Sequence, residues 1–213
     1  MRQIYGTTEQ REEEMTAKSI RRTIISVLLA GSAMSLSGSA QTPAHEGLTF
    51  NGDGAMRSDK IHWPKGFDPK EADLFAHNEI VVHAGCGAIF ANLADAESWP
   101  SWYSNSKDVK VLNSPDHKLR KNARLSWETF GFHIDSRVHE FEPDTRIGWF
   151  GDGNGVHAYH TFFLEKTSEG CHIVTEEVVK GPGAVQFREE KPNAMHQGHE
   201  LWLTTLKERS EKN

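Results

Sequence analysis

The clearest pattern in the chain is a period of two. In 123–129, Ala123, Leu125, Trp127 and Thr129 alternate with Arg124, Ser126 and Glu128. In 132–139, Phe132, Ile134, Ser136 and Val138 alternate with His133, Asp135, Arg137 and His139. Alternation of this kind predicts strands with one buried face. The Phe130-Gly131 pair between them predicts a two-residue hairpin that sets Thr129 opposite Phe132, Trp127 opposite Ile134 and Leu125 opposite Ser136. β-Branched and aromatic runs predict further strands at 78–84, 108–113, 146–150, 157–166 and 171–179. Residues 87–95 and 96–104 read as two short helices, the second broken by Pro100. From 184 to 208 the period changes. Met195, His199, Trp202 and Leu206 recur on one helix face, with Pro192 marking a broken start. The order is therefore one strand, two short helices, six strands and one long helix. This predicts an α+β fold: a curved seven-stranded antiparallel sheet wrapped around the C-terminal helix.

Ahead of this pattern the chain changes character twice. Lys18, Arg21 and Arg22 precede an uncharged apolar stretch around Ile24, Ile25, Val27, Leu28 and Leu29, which ends in small residues with Gly38 and Ala40 at the cleavage positions. Residues 1–40 read as a signal peptide for export, by the general or the twin-arginine route. Gly31, Ser32, Ser35, Ser37 and Ser39 dilute the run below what a spanning helix needs, so no stable membrane span is expected after cleavage. The expected location is the periplasm. Residues 41–75 read as a polar linker followed by a strap whose Trp63, Phe67, Leu74 and Phe75 pack on the domain at 76–210. The hydrophobic fraction of 37% permits one packed core. The net charge of -6 argues against a nucleic-acid partner, which needs a basic stripe.

Several stretches carry a family likeness: "NEIVVHAGCGAIFANLADAESWPSWYSNSKDV", "SRVHEFEPDTRIGWF", "HTFFLE", "TEEVVKGPGA" and "HQGHELWLTTLK". Together they run from about residue 76 to 208. They resemble the SRPBCC superfamily, the START-like helix-grip fold shared by pollen allergens, polyketide cyclases and lipid-transfer domains. The resemblance implies a long helix in the concavity of the sheet, with core or cavity between them. It implies that His160, Phe162 and Leu164 point inward, as do Ile173, Thr175, Glu177 and Val179. The matching register sets Leu164 opposite Ile173, Phe162 opposite Thr175 and His160 opposite Glu177. It also makes the first and last strands neighbours, with Cys86 and Cys171 at the same end, within disulfide reach unless a one-residue slip turns one away.

Three readings of His160, Glu177 and His199 follow. They form a satisfied buried network, a polar anchor or acid–base pair for a ligand, or a metal site. No compact ligand motif exists, and "HQGHE" at 196–200 is not the zincin signature, so no metal and no cofactor is expected. Candidate ligand contacts are Trp102, Tyr103, Trp127, Ser136, Trp149, Phe162, Thr175, His199 and Trp202. In "ESWPSWYSN", 97–105, Trp99 and Trp102 stand one helical turn apart and read mainly as packing, with Trp102 or Tyr103 at the cavity edge. The glycine-rich stretch 151–155 lies between strands and lacks the helix of a phosphate loop, so it reads as a flexible hairpin loop. His133, His139 and His172 are expected in solvent. The functional expectation is binding of a small hydrophobic or aromatic molecule in an internal apolar cavity. The alternatives are a polyketide cyclase/dehydratase-like enzyme using His160 and Glu177 as acid and base, and a protein with a filled interior.

Overall fold

The structure is a computed structural model, and it describes residues 50–212. The signal-peptide expectation falls outside the described residues.

The sheet has seven antiparallel strands: β1 (Leu74–Val82), β2 (Ser106–Val111), β3 (Arg124–Thr129), β4 (Phe132–Glu142), β5 (Arg146–Gly153), β6 (Val156–Thr167) and β7 (Gly170–Lys180). Their order is β1-β7-β6-β5-β4-β3-β2, so the first and last strands are neighbours. Helix α1 (Cys86–Ala94) and a 3-10 turn (Ala96–Ser101) bridge β1 and β2. The predicted long helix is two: α2 (Pro182–Glu190) and α3 (Ala194–Ser210). The break falls at Lys191-Pro192, where proline cannot continue the backbone ladder. Both predicted registers hold. Trp127 faces Ile134, Leu125 faces Ser136, and His160 faces Glu177.

The turns differ from expectation in one place. The glycine-rich stretch is mostly strand, with Asn154-Gly155 alone making the hairpin at φ 50° and 76°. Two positive φ values suit the right-handed strand twist, and Asn-Gly adopts them cheaply. It is a tight turn rather than a flexible loop. Phe130-Gly131 makes the same kind of turn at φ 55° and 84°. A bulky residue rarely adopts that conformation. Asn105 Oδ1 accepts the Phe130 N–H at 3.1 Å, and Gly198 on α3 leaves room for the ring, since a Cβ there would lie 2.3 Å from it.

The concave face holds the main core, centred on tryptophans. Trp99 touches Trp127, Trp149 and Trp202 at ring-centroid distances of 5.3, 5.6 and 5.1 Å. Trp99 is fully buried, and its indole N–H donates to the Leu93 carbonyl. The 97–105 stretch is core at this position.

The convex face is also covered. Between residues 56 and 73 the chain crosses it as a strap. Ile61 packs with Phe163 and Val174, and Phe67 with Phe75, Tyr159 and Val178, with Trp63 beside them. Leu74 and Phe75 are the first residues of β1 rather than part of the strap. The cover changes the character of outward positions. His139 packs against Phe150 and Tyr159 instead of standing in solvent. Burial, then Lys121 and Arg137, lower its pKa. His77 and Glu176 form a second histidine–carboxylate pair at 2.7 Å, with Glu176 fully buried. The backbone N–H of Ser58 in the strap donates to the same carboxylate oxygen.

Cys86 opens α1 and Cys171 lies in β7, where it pairs with Val82 across the sheet. They form a disulfide with Cα atoms 5.2 Å apart.

Candidate functional site

Between the sheet and the helices α2 and α3 lies one narrow cavity of about 60 Å³. Its walls include Trp127, Trp149 and Trp202, and Phe130, Phe132 and Phe187 cluster there, with Phe187 5.5 and 5.4 Å from the other two rings. Against these apolar groups stand His160, Glu177 and His199. A single buried water needs roughly 10–15 Å³ of such volume, so the space admits only a handful of heavy atoms as it stands. Most of the interior is filled.

The polar cluster is assembled from three elements. His160 on β6 faces Glu177 on β7 because the register pairs them. His199 reaches them from α3. Its Nε2 lies 3.0 Å from Glu177 Oε2, while His160 Nδ1 lies 4.0 Å from the same oxygen. The two imidazoles stack at 4.5 Å, with planes 8° apart. On its other side His160 Nε2 lies 2.9 Å from Thr175 Oγ1. His160 and His199 are almost wholly buried, and Glu177 keeps some exposure through the cavity.

Burial first, and His199 second, hold the His160 pKa well below the ordinary 6.5. Uptake of a proton at His160 therefore favours the unfolded chain. Below pH 6.5 the unfolded state binds this proton while the folded state does not. Stability present above pH 6.5 should be lost as pH falls toward the depressed folded value, at up to about 1.4 kcal/mol per pH unit from this proton. Urea unfolding between pH 7.5 and pH 5 checks this. His160→Gln should flatten the dependence, and an unchanged slope in that variant would sink the assignment.

These three residues are also the histidine–carboxylate group, among the described residues, whose donor atoms lie within 4.8 Å of one another. The stacked rings do not suit a shared ion. An imidazole lone pair lies in its ring plane, and two nearly parallel, separated planes do not meet at one point. A common metal would require one ring to turn.

The candidate contacts divide. Trp127, Ser136, Trp149, His199 and Trp202 line the cavity together with His160 and Glu177. Trp102, Tyr103, Phe162 and Thr175 do not. Trp102 caps the 3-10 turn, packs on the edge of the main core and lies against Arg209 at 5.8 Å, outside the cavity lining. Tyr103 is fully buried and stacked on Trp202 at 4.4 Å, which seals it from the space; burial raises its pKa. Phe162 lies beneath Trp149 and Trp202. Thr175 stands behind His160 and touches the site only through it. Sequence reasoning missed Phe130, Phe132, Phe187 and Met195 as cavity residues. The inward parity of Phe132 and the helical face of Met195 were the available signals; nothing local marked Phe187.

No protein-family model matches the chain, and no curated protein matches it. Solved structures do. The hypothetical protein jhp0584 from Helicobacter pylori aligns at 32% identity over 72% of this chain and 98% of that one, with a TM-score of 0.66. A START superfamily protein from Mycobacterium smegmatis aligns at 17% identity over 65% and 97% of the two chains, with a TM-score of 0.50. The di-domain ARO/CYC StfQ from the steffimycin biosynthetic pathway aligns at 12% identity, over 65% of this chain and 51% of that one, with a TM-score of 0.53. The last two share the fold alone. At 32% identity over nearly the whole of its relative, the chain belongs to one family with the hypothetical protein jhp0584, and its strand order and closing C-terminal helix are those of the START-like, helix-grip fold.

Proposed function

We propose that this protein is an exported small-molecule-binding protein whose internal cavity takes a small hydrophobic or aromatic ligand. The observation that supports this most directly is the cavity itself: apolar walls with a single convergent polar cluster, His160, Glu177 and His199. That is the general form of a small-molecule site. At about 60 Å³ it is smaller than the roughly 150 Å³ that holds a benzene ring. A one-ring ligand must therefore push apart Phe130, Phe132 and Phe187. Phe187 sits on α2, a short helix joined to α3 through the Lys191-Pro192 break, and clusters there with Leu74, Ala158 and Val179 of the sheet.

Mass spectrometry of small molecules released from protein purified from its native host tests the proposal. A stoichiometric apolar species of about one ring is the expected result. Protein that carries nothing, and whose unfolding temperature no such compound raises, would favour the filled interior. His160→Ala should weaken ligand binding more than it lowers stability; equal losses would reduce the cluster to a structural network.

An enzymatic reading also has an observation in its favour. A neutral His160 beside a carboxylate at the cavity is an acid–base pair of the sort a polyketide cyclase-like reaction needs. A chemically altered ligand recovered after incubation would support it.

Export is supported by the 1–40 pattern and by the disulfide, which persists in an oxidising compartment. We propose the division 1–40 signal peptide, 41–75 linker and strap, 76–210 ligand-binding domain. A mature periplasmic protein beginning at Gln41 is expected; an intact Met1 would overturn it.

A further inference from the structure

Resting on the reading of the cavity as a ligand site, we propose that the polar end of the ligand is a hydrogen-bond donor. It is a hydroxyl or a protonated amine, and not a carboxylate, sulfonate or phosphate.

The argument follows the protons. The Thr175 hydroxyl has one, and it donates to the Thr161 carbonyl at 3.1 Å. His160 Nε2 lies 2.9 Å from the same hydroxyl oxygen. Both bonds hold together only if His160 Nε2–H is the donor. A neutral imidazole carries one N–H, so His160 Nδ1 is a bare lone pair. It lies 4.0 Å from Glu177 Oε2, which is another acceptor and too far for a hydrogen bond. Glu177 in turn takes a hydrogen bond from His199 Nε2–H at 3.0 Å, its one side-chain hydrogen bond among the described residues. A carboxylate can accept about four. The polar wall therefore presents unspent acceptors: one imidazole nitrogen and most of a carboxylate.

Charge points the same way. Among the described residues no lysine or arginine lines the cavity. An anionic head would come to rest near Glu177 in apolar surroundings, and His199, whose charge helps depress the His160 pKa, is already turned to Glu177 through Nε2; two anions sharing that one partner are penalised heavily at low dielectric. The remaining donors are neutral. The Ser136 hydroxyl already accepts the Trp127 indole N–H at 3.1 Å and keeps only its own proton. The buried Trp202 indole N–H has no partner among the described residues. A ligand hydroxyl could donate to His160 or Glu177 and accept from such an N–H. An ammonium could donate to both acceptors, with the faces of Trp127, Trp149 and Trp202 around it as favourable partners for a cation.

Four one-ring probes of similar size separate the possibilities: toluene, phenol, benzylamine and benzoate. Each is titrated at neutral pH into the disulfide-intact protein while the indole N–H signals are followed by NMR. Phenol and benzylamine should bind at least about tenfold more tightly than benzoate, the cost of leaving buried acceptors unpaired or facing an anion. They should also bind more tightly than toluene. Benzoate binding as well as either donor would overturn the inference. Toluene binding with no preference among the four would overturn it too, while leaving the cavity reading intact. Binding of none of them would instead remove the cavity reading. Glu177→Gln should cost benzylamine about tenfold and leave toluene unchanged. Equal losses for both would mean that the carboxylate only supports the fold.

Discussion

Protein in which Cys86→Ala and Cys171→Ala are combined should be less stable than the wild type by about 4–5 kcal/mol. The bridge spans a sequence separation of 85 residues. Chain-entropy reasoning for a loop of that length gives a value in this range, and strain or residual structure in the unfolded chain lowers it. Alanine is the better replacement, because Cys171 is fully buried in the core and serine would bury a hydroxyl. Urea unfolding measures the loss. It should also show a second change: without the cross-link the unfolded chain expands, so the dependence of stability on urea steepens. A loss under about 1 kcal/mol with an unchanged slope would mean that the bridge adds little to the packing of α1 on the sheet.

Trp202→Ala should cost about 3–5 kcal/mol, at the upper end of large-to-small core substitutions. Trp202 is 1% exposed. Its ring meets Trp99 at 5.1 Å, Tyr103 at 4.4 Å, His160 at 5.3 Å and Phe162 at 5.4 Å. These partners come from the 3-10 turn, the segment after it and β6, so they cannot all close over the space left behind. The neighbouring Leu201 is 39% exposed, and Leu201→Ala should change stability by less than about 0.5 kcal/mol. Similar losses for the two would show that α3 is not anchored through its tryptophan. Because most domains are stable by only about 5–15 kcal/mol, either of the two large changes removes a substantial part of the whole.

Alternation along the strands was enough to predict the facing of β3 and β4, because a period of two and a two-residue turn leave a single register that buries both apolar faces. The helical period likewise put Met195, His199, Trp202 and Leu206 on one buried face of α3. The family pattern then paired His160 with Glu177 and brought the two cysteines to one end of neighbouring strands. These are properties of one element or one pair of elements, and local pattern determines them.

Two properties waited on the tertiary structure. The first is how full the interior is. Trp99 reaches from the 3-10 turn into the space among Trp127, Trp149 and Trp202, and Tyr103 closes over Trp202. What remains is about 60 Å³, a small difference between large volumes supplied by several elements, which no single pattern encodes. The second is what lies on the convex face. The family pattern that turns His160, Phe162, Thr175 and Glu177 inward leaves Tyr159, Thr161 and Glu176 on the outside, but the strap turns that outside into a second interior where all three are at most 1% exposed. Strand parity says which face a side chain takes. Whether that face meets water depends on the path of a segment far away in sequence, and only the assembled fold decides it.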